Sequence, residues 1–360
     1  MKPHLCLLGD ANSVHVQRWA REMLARGLRV SVVTARPAAI NGVAEQIVLP
    51  PVQRPSDWLW RVGAAQRALN RLAPDLVHAH YITSYGYLAA RCTQRPLVMT
   101  AWGSDLLVTP KGRPLMRALT GWTLRRADLV TGDSTDLLHE IASYRPRAAP
   151  LLVHWGVELS RFAPTPWADK PRLEIVSLRN WEPNYRIAVI VQALAELRRR
   201  LPGAPLHLHL LGGGPLVEAL AQQVRAAGLQ GAVTLHGRLA DAGMAAVLAR
   251  CKVSVSVPLS DATSVSVLES MACGLAVVAS DLPANRHWLG SEPDLLLTGD
   301  SDATLARALA DALERLWHDD ARAQRVGQAN HARMRAEGSR EVQMDRMFAQ
   351  YQRLLAEADG

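Results

Sequence analysis

Two carboxylates and several small hydroxyl residues lie close together in the stretch SDATSVSVLESMACGLAVVAS, residues 260–280. Asp261 comes before Thr263, Ser264 and Ser266, and Glu269 follows them. Ser264 or Thr263 suits the residue that opens a helix, because a small hydroxyl can accept a hydrogen bond from a free backbone N–H group. The stretch therefore predicts a loop followed by a helix, with its chemistry at the point where the helix begins.

The start of this predicted helix is suited to bind a phosphate. The first N–H groups of a helix have no partner inside it, and the helix dipole favours negative charge at that end. We expect a phosphate to be held by the residues that open the helix: Ser264, Val265, Ser266 and Val267.

The two carboxylates would then lie on either side of a bound pyrophosphate. Asp261 precedes the helix and Glu269 lies inside it, so one acid would face each end of a nucleotide sugar, where carboxylates accept hydrogen bonds from hydroxyl groups. Alternatively, both acids only complement the helix dipole. That explanation is the better one for Asp261 taken alone, but Glu269 lies too deep in an apolar helix for it.

The elements that must position these residues follow an alternating pattern. Strands are predicted at HLCLLG, RVSVVT, DLVHAH and LVMT, and again at LEIVSLR, LHLHLLG, KVSVSV and LAVVAS, with helical segments between them. Apolar strands alternating with helices are typical of buried parallel sheets. We expect an α/β protein with two Rossmann-like domains, residues 1–155 and 172–335, whose sheets face a cleft and are joined by a proline-containing linker near residues 155–172.

The composition limits the classes of protein. A chain of 360 residues is long for one hydrophobic core. The beginning of the sequence is too short and too soon polar for a signal peptide, no apolar run is long enough to span a membrane, and the four cysteines have neither zinc nor disulfide spacing. We therefore expect a cytoplasmic protein. The net charge of +8 favours anionic partners, but no nucleic-acid motif is present, so no nucleic-acid partner is predicted.

The stretch around Asp261 and Glu269 resembles the E-x7-E motif of retaining GT-B glycosyltransferases, in particular glycosyltransferase family 4. The likeness extends over almost the whole chain, through HWGVELSRF, LHLLGGGPL, TAWGSD and REVQMDRMFAQYQRLL. The resemblance implies metal-independent transfer of a hexose from a nucleoside diphosphate sugar with retention at the anomeric carbon, and no cofactor. It implies that Asp261 faces the donor sugar, that Glu269 holds the ribose, and that a last helix at residues 336–360 packs back on the N-terminal domain.

The chain departs from this family at two places. An arginine and a lysine five residues later usually hold the diphosphate; here Arg179 is present, but Asn184 stands at the lysine position. We expect Arg186 to substitute, because arginine suits bidentate contact with a diphosphate. In TAWGSD, Trp102 takes the place of a family histidine, so that Asp105 or His80 would have to contact the transferred sugar.

Further candidate residues are assigned to the two substrates. Donor-side candidates lie in the loops after two strands of the second domain: Gly213, Gly214, Gly237 and Arg238. Acceptor-side candidates, each of which could instead be an ordinary strand-end or helix-start residue, lie in the first domain: Asn12, Ser13, His15, His80, Trp102 and Asp105. Asp300 and Asp302 form a D-x-D pattern, but they directly precede a helix, so helix capping explains them better than metal binding.

Two segments of the first half could lie on an anionic membrane surface. Residues 58–72 and 111–126 combine arginine with large apolar side chains at helical spacing, including Trp58, Trp60 and Trp122. The alternative is that each helix simply packs on its own sheet.

The sequence predicts a hexosyltransferase whose acceptor is a glycan or a lipid-linked sugar, in the synthesis of lipid-linked or cell-surface polysaccharide, at the inner face of the cell membrane. Three alternatives remain open. The two acids could serve a glycoside hydrolase, the same fold could carry an epimerase of nucleotide sugars, or the protein could bind a nucleotide sugar without turnover.

Overall fold

The computed structural model describes residues 2–92, 96–170, 173–261 and 263–359. The chain forms two compact units. The first contains the residues up to Trp155 together with those from Glu341 onward, and the second is Gly156–Arg340.

The first unit is built on a seven-stranded parallel sheet in the order β3-β2-β1-β4-β5-β6-β7. The strands are β1 (His4–Leu8), β2 (Arg29–Thr34), β3 (Glu45–Val48), β4 (Leu76–His80), β5 (Leu97–Thr100), β6 (Leu129–Gly132) and β7 (Leu151–Leu152). The central strands are buried along their whole length, as expected for a parallel sheet with helices on both faces.

The helices of the first unit connect these strands. They are α1 (Val14–Ala25), α2 (Asp57–Trp60), α3 (Val62–Leu72), α4 (Tyr87–Arg91), α5 (Ser104–Leu107), α6 (Pro114–Leu124) and α7 (Thr135–Ser143). A single π-helical turn, Ile82–Gly86, precedes α4. The helix predicted from residue 58 onward is interrupted at Arg61, whose side chain donates to the carbonyl oxygens of Pro50 and Pro51 at 3.0 and 2.7 Å.

The second unit is built on a six-stranded parallel sheet in the order β10-β9-β8-β11-β12-β13. The strands are β8 (Glu174–Ser177), β9 (His207–Leu211), β10 (Val233–Gly237), β11 (Val253–Ser256), β12 (Ala276–Ser280) and β13 (Leu296–Leu297). The two sheets confirm the predicted α/β class with two Rossmann-like folds.

The remaining helices follow in chain order: α8 (Ile187–Arg200), α9 (Val217–Ala226), α10 (Asp241–Arg250), α11 (Val265–Ala272), α12 (Pro283–Leu289), α13 (Asp302–His318), α14 (Asp320–Arg333) and α15 (Arg340–Asp359). In α15, Met344, Met347, Tyr351 and Leu354 are buried in a core cluster of the first unit.

Each sheet has one place where the order of the strands reverses. In the first unit the reversal lies between β1 and β4, and in the second between β8 and β11. Ligands of open α/β sheets bind at the carboxyl ends of the strands at such a reversal. These two edges are therefore where functional side chains are expected.

Candidate functional site

Arg179 follows β8 directly at the reversal point of the second sheet and is the centre of a cluster of polar groups. Its Nη1 donates to the Oγ of Ser264 and, at 3.0 Å, to the Oγ of Ser266. Its Nη2 donates to Asp261 Oδ2 at 2.5 Å. Only 9% of the arginine side chain is exposed. The structure therefore brings together one cation, one carboxylate and two hydroxyls at the start of α11.

The loop that carries Asp261 is held by residues after β8. Asn184 donates through Nδ2 to the Ser260 carbonyl oxygen at 3.0 Å, and its own carbonyl accepts from the Leu259 N–H at 2.8 Å. The ring of Tyr185 lies 4.4 Å from the Arg179 guanidinium carbon, a cation–π contact that restrains the cation. Asn184, which occupies the family's lysine position, thus fixes the loop. Neither the role of Tyr185 nor the ion pair between Arg179 and Asp261 is predicted by the sequence patterns.

The start of α11 has the expected cap. Ser264 is the N-cap, and its Oγ accepts from the Val267 N–H at 3.4 Å. Val265 and Ser266 are the first two residues of the helix, and N–H groups at these positions have no acceptor within a helix. Glu269 is buried on the next turn, three residues after Ser266, so both side chains lie on the same face of α11.

The predicted glycine loops lie against the segment that follows β8. The N–H of Trp181 donates to the carbonyl oxygen of Gly213 at 3.0 Å. The N–H of Gly212 donates to the carbonyl oxygen of Gly237 at 2.9 Å. Gly214 has a φ of 153°, and a Cβ there would lie 2.5 Å from the carbonyl oxygen of Trp181, so only glycine fits.

Arg238 joins this loop cluster. A Cβ on Gly213 would lie 3.0 Å from Arg238 Nε. The four donor-side candidates of these loops, Gly213, Gly214, Gly237 and Arg238, thus meet one another beside the segment that carries Arg179.

Arg186 is placed differently from the other predicted diphosphate ligands. It precedes α8 with a φ of 50°, and its Nε lies 3.3 Å from Asp302 Oδ1. The structure records no contact between Arg186 and the Arg179 cluster among the described residues. In the D-x-D pattern, Ser301 caps α13 and Asp302 is the first residue of that helix, so the N-cap is the serine between the two aspartates.

A cavity of about 370 Å³ lies at the reversal point of the first sheet. His80 and Tyr81, at the end of β4, line it together with Trp102 after β5, Trp58 of α2 and Arg36 after β2. The lining is mainly aromatic, with a few polar groups. This is the usual make-up of a small-molecule site.

His80 is a neutral hydrogen-bond donor in this cavity wall. Burial and, to a smaller extent, nearby His15 together lower the pKa of its imidazole to about 3. Trp102 Nε1 lies 3.4 Å from His80 Nδ1, and because indole N–H can only donate, Nδ1 must accept and Nε2 must carry the proton. Nε2 is buried with no hydrogen-bond partner among the described residues.

The other acceptor-side candidates are less directly placed. Ser13 is the N-cap of α1, where its Oγ accepts from the His15 N–H at 3.2 Å, and the Asn12 N–H donates to the carboxylate of Asp10 at 2.9 Å. The ring of His15 lies between two indoles, 4.2 Å from Trp155 and 5.4 Å from Trp102 between centroids. Ser13 thus has a capping role, whereas His15 belongs to an aromatic cluster that includes Trp102.

Asp105 acts as a clamp between two loops. One carboxylate oxygen accepts from the Ile82 N–H at 2.7 Å and the other from the Trp102 N–H at 2.9 Å. Burial raises the pKa of this carboxyl to about 6, although the backbone hydrogen bonds oppose the rise. Both oxygens are engaged with backbone, so Asp105 holds the loops that carry Tyr81 and Trp102.

A buried polar network that no sequence pattern predicts lies in the first unit, around Tyr351 and His78. Tyr351 of α15 accepts from Trp19 Nε1 at 2.9 Å, and its hydroxyl lies 2.5 Å from His78 Nδ1. The other ring nitrogen of His78 lies 2.7 Å from Thr100 Oγ1. The tyrosine oxygen thus accepts from the indole, while the tautomer of His78 decides which of the two groups donates in the tyrosine–histidine hydrogen bond. Local sequence patterns could not show this contact, because 273 residues separate Tyr351 from His78.

Within the described part of the chain, one group of side chains could approach a metal ion. One ligand atom from each of Glu174, His209 and Cys251 lies within 4.8 Å of the others. Arg250, however, donates to both carboxylate oxygens of Glu174 at 3.1 and 2.8 Å. Burial raises the pKa of this carboxyl, but the bonds from Arg250 and His209 outweigh it and lower the pKa. The carboxylate is already neutralised, so we assign an ion-pair network.

Two family sequence patterns match the chain. The pattern described as glycosyl transferase 4-like matches residues 4–134, and the pattern described as glycosyl transferases group 1 matches residues 172–319. A D-inositol 3-phosphate glycosyltransferase of Arthrobacter is 28% identical over 92% of this chain and 87% of its own length. A GDP-mannose-dependent α-(1-6)-phosphatidylinositol monomannoside mannosyltransferase of Mycolicibacterium smegmatis is 29% identical over 68% of this chain and 66% of its own length.

Solved structures show the same fold. Sucrose-phosphate synthase of Thermosynechococcus elongatus superimposes with a TM-score of 0.77 at 19% identity, over 99% of this chain and 100% of that one. Anabaena Alr3699/HepE in complex with UDP-glucose superimposes with a TM-score of 0.75 at 16% identity, over 97% and 98% of the two chains. The chain is therefore a glycosyltransferase of GT-B fold. It belongs to the glycosyltransferases that resemble family 4, which confirms the resemblance seen in the sequence.

Proposed function

We propose that this glycosyltransferase transfers a hexose from a nucleoside diphosphate sugar to a sugar acceptor, with retention and without a metal ion. The observation that carries the proposal is the Arg179 cluster at the start of α11. A buried guanidinium, two hydroxyls and the first amides of a helix converge there, and such groups bind a diphosphate. A nucleotide-sugar donor is supported by two comparisons. One relative is named as GDP-mannose-dependent, and one protein of the same fold was solved in complex with UDP-glucose.

The leaving group is the diphosphate. As the bond between its oxygen and the anomeric carbon breaks, negative charge grows on that oxygen. Arg179 and the amides of Val265 and Ser266 would stabilise this charge electrostatically. The acceptor hydroxyl forms the new bond to the anomeric carbon and passes its proton to an oxygen of the departing diphosphate. Fixed positive groups make a divalent cation unnecessary for this step in the proposal.

Asp261 would change partner when the donor binds. In this structure it forms a charge-assisted bond with Arg179 at 2.5 Å. A diphosphate competes for the same guanidinium, and we propose that the released carboxylate accepts hydrogen bonds from the donor sugar. Glu269, buried one turn further along α11, is proposed to hold the ribose.

The acceptor is proposed to bind in the cavity of the first unit, which His80 and Trp102 line. A glycan or lipid-linked sugar would place an apolar face of its ring against the aromatic walls of the cavity. We propose that the enzyme acts in the synthesis of lipid-linked or cell-surface polysaccharide.

An anionic membrane surface is proposed as a partner of the same unit. Trp60 is 78% exposed and Leu115 is 84% exposed; Arg54, Arg113 and Arg117 are exposed too. Trp58 and Trp122, by contrast, pack against the unit's own core. Among the helices that the structure describes, none is long and apolar enough to cross a membrane. In vesicle flotation, Trp60→Ser should reduce recovery with anionic lipid and Val217→Ser should not; equal recovery with neutral and anionic lipid would reject the idea.

The proposal is tested by incubating the protein with a panel of nucleoside diphosphate sugars and short glycosides, with chelator present. We expect one donor to yield a product of unchanged anomeric configuration, as read by NMR of the anomeric proton. Inversion would contradict retention, and activity that appears only after magnesium or manganese is added would contradict metal independence. Hydrolysis of simple glycosides without a nucleotide would favour the hydrolase alternative.

A further inference from the structure

We propose that a groove at the opposite edge of the second sheet is a separate binding site for a neutral oligosaccharide. The groove has a volume of about 480 Å³ and lies between α14 and the segment around Trp167. Gly274, which precedes β12, lines it as well. The groove is therefore at the amino ends of the strands, whereas Arg179 is at their carboxyl ends.

One face of α14 supplies most of the polar groups. Gln324, Gln328 and His331 line the groove, and their spacing of four and three residues places them on one side of a helix. Asp320 lies one turn before Gln324 and accepts from Trp167 Nε1 at 2.9 Å. The helix and the indole on the other wall are thus fixed to each other.

The indole of Trp167 is held rigidly. Besides its bond to Asp320, the ammonium groups of Lys252 and Lys170 lie 4.9 and 5.6 Å from the centre of its ring. Lys252 also donates to Asp320 at 2.9 Å, which leaves the carboxylate engaged with Trp167 and Lys252. A restrained aromatic wall of this kind contributes contact area at little cost in side-chain entropy.

The other side chains that line the groove can form hydrogen bonds with the hydroxyl groups of a sugar. Neither Gln324 nor Gln328 has a hydrogen-bond partner among the residues that the structure describes, and each amide can both donate and accept. His331 Nδ1 lies 2.7 Å from the Ala272 carbonyl oxygen, so Nδ1 must donate. No carboxylate or guanidinium lines the groove in the described part of the chain. An aromatic wall with uncharged donors and acceptors selects a neutral polyhydroxylated ligand rather than a phosphate.

The groove is far enough from the Arg179 cluster to bind a ligand independently. Ser264 caps one end of α11, and Ala272 and Gly274 lie at the other end. An eight-residue helix spans about 12 Å. An enzyme that acts on sugars would gain from such a site, because a glycan held there stays at high local concentration near the same protein.

The test is binding of three neutral oligosaccharides, maltotriose, α-1,6-mannotriose and chitotriose, measured by saturation-transfer NMR. We expect at least one to bind the wild type, and the variant Gln324→Ala/Gln328→Ala to bind it at least roughly tenfold more weakly, the loss of about 1.4 kcal/mol. Arg179→Lys should bind the oligosaccharide like the wild type, which separates this site from the proposed donor site.

Gln222→Ala, an exposed glutamine on α9, is the matched control and should change nothing. The melting temperature of the double variant should equal that of the wild type, because neither glutamine is bonded within the fold. If none of the three sugars binds the wild type, or if the double variant binds as tightly as the wild type, the groove is not a carbohydrate site.

Discussion

Replacing Arg179 with lysine tests the proposed diphosphate site most directly. Lysine keeps the positive charge, but it lacks the planar fork that lets a guanidinium make two parallel bonds to a phosphate. Each charge-assisted hydrogen bond contributes about 1.5–3 kcal/mol. Losing two at the lower value removes about 3 kcal/mol, so the affinity for a nucleoside diphosphate should fall by roughly 10².

The same substitution should leave the fold nearly as stable as before. Ser264 and Ser266 hydroxyls lie 2.9 Å apart and can bond to each other, and the Asp261 side chain is 22% exposed, so solvent can reach its carboxylate. Lysine can also pair with Asp261. The loss of affinity should therefore appear without a comparable loss of melting temperature.

The assay is isothermal titration with UDP, GDP and ADP, followed by comparison of wild type and variant with the tightest of the three. At a ligand concentration of 100 times Kd the wild type should gain about 2.7 kcal/mol of stability, most of which the variant should lose at the same concentration. Arg199→Lys, at an exposed position on α8, is the matched control. An unchanged Kd in folded Arg179→Lys would refute the assignment of this cluster to the diphosphate.

Three further predictions concern individual carboxylates and one arginine. Arg186→Ala should lower kcat/KM roughly tenfold, because we expect its guanidinium to contact the diphosphate. Asp302→Ala removes only the surface ion-pair partner and should change kcat/KM little; an unchanged kcat/KM in Arg186→Ala, or an equal loss in the two variants, would contradict the expected contact. Glu269→Gln should weaken binding of a ribonucleoside diphosphate and abolish its advantage over the 2′-deoxy form, and a retained preference would exclude the ribose role. The pKa of Asp105 is raised from 3.8 to about 6 in the folded state. Between these pH values the folded protein binds more protons than the unfolded protein. The contribution of Asp105 to the free energy of unfolding is therefore present at about pH 4 and lost as pH rises through about 6. Urea unfolding at both pH values should show this dependence in the wild type and a weaker one in Asp105→Asn; the same slope in both would contradict the assignment.

The order of elements follows from local sequence because each buried strand is an apolar run. Glu269 could be singled out for a related reason, since an acid in an otherwise apolar helix is conspicuous. Local sequence could not show that Arg179 pairs with Asp261, because 82 residues separate them and their meeting depends on β8 lying beside β11. Local sequence also could not show that Asn184 holds the loop before α11. Its position in the sequence indicated only that the family's lysine is absent.

The acceptor side was harder to predict. Trp102 was expected on the acceptor side at the position of a family histidine, and the structure adds that its indole N–H sets the tautomer of His80. Asp105 was a candidate for sugar contact, but the structure gives both of its oxygens to backbone N–H groups. In each case the type of residue was informative, while its partner depended on how two loops meet.

The division of the first unit along the chain has a consequence for protein synthesis. Its sheet is complete before residue 156 emerges from the ribosome, but Tyr351 arrives only after the whole second unit has been made. Until then Trp19 and His78 lack the hydroxyl that joins them, and a buried polar group without a partner costs about 1–3 kcal/mol. The first unit should therefore stay open to proteases while the second folds, and nascent chains stalled at residue 340 should be cleaved within residues 2–155 faster than released ones. The first unit is therefore synthesised first but is the last to complete its core.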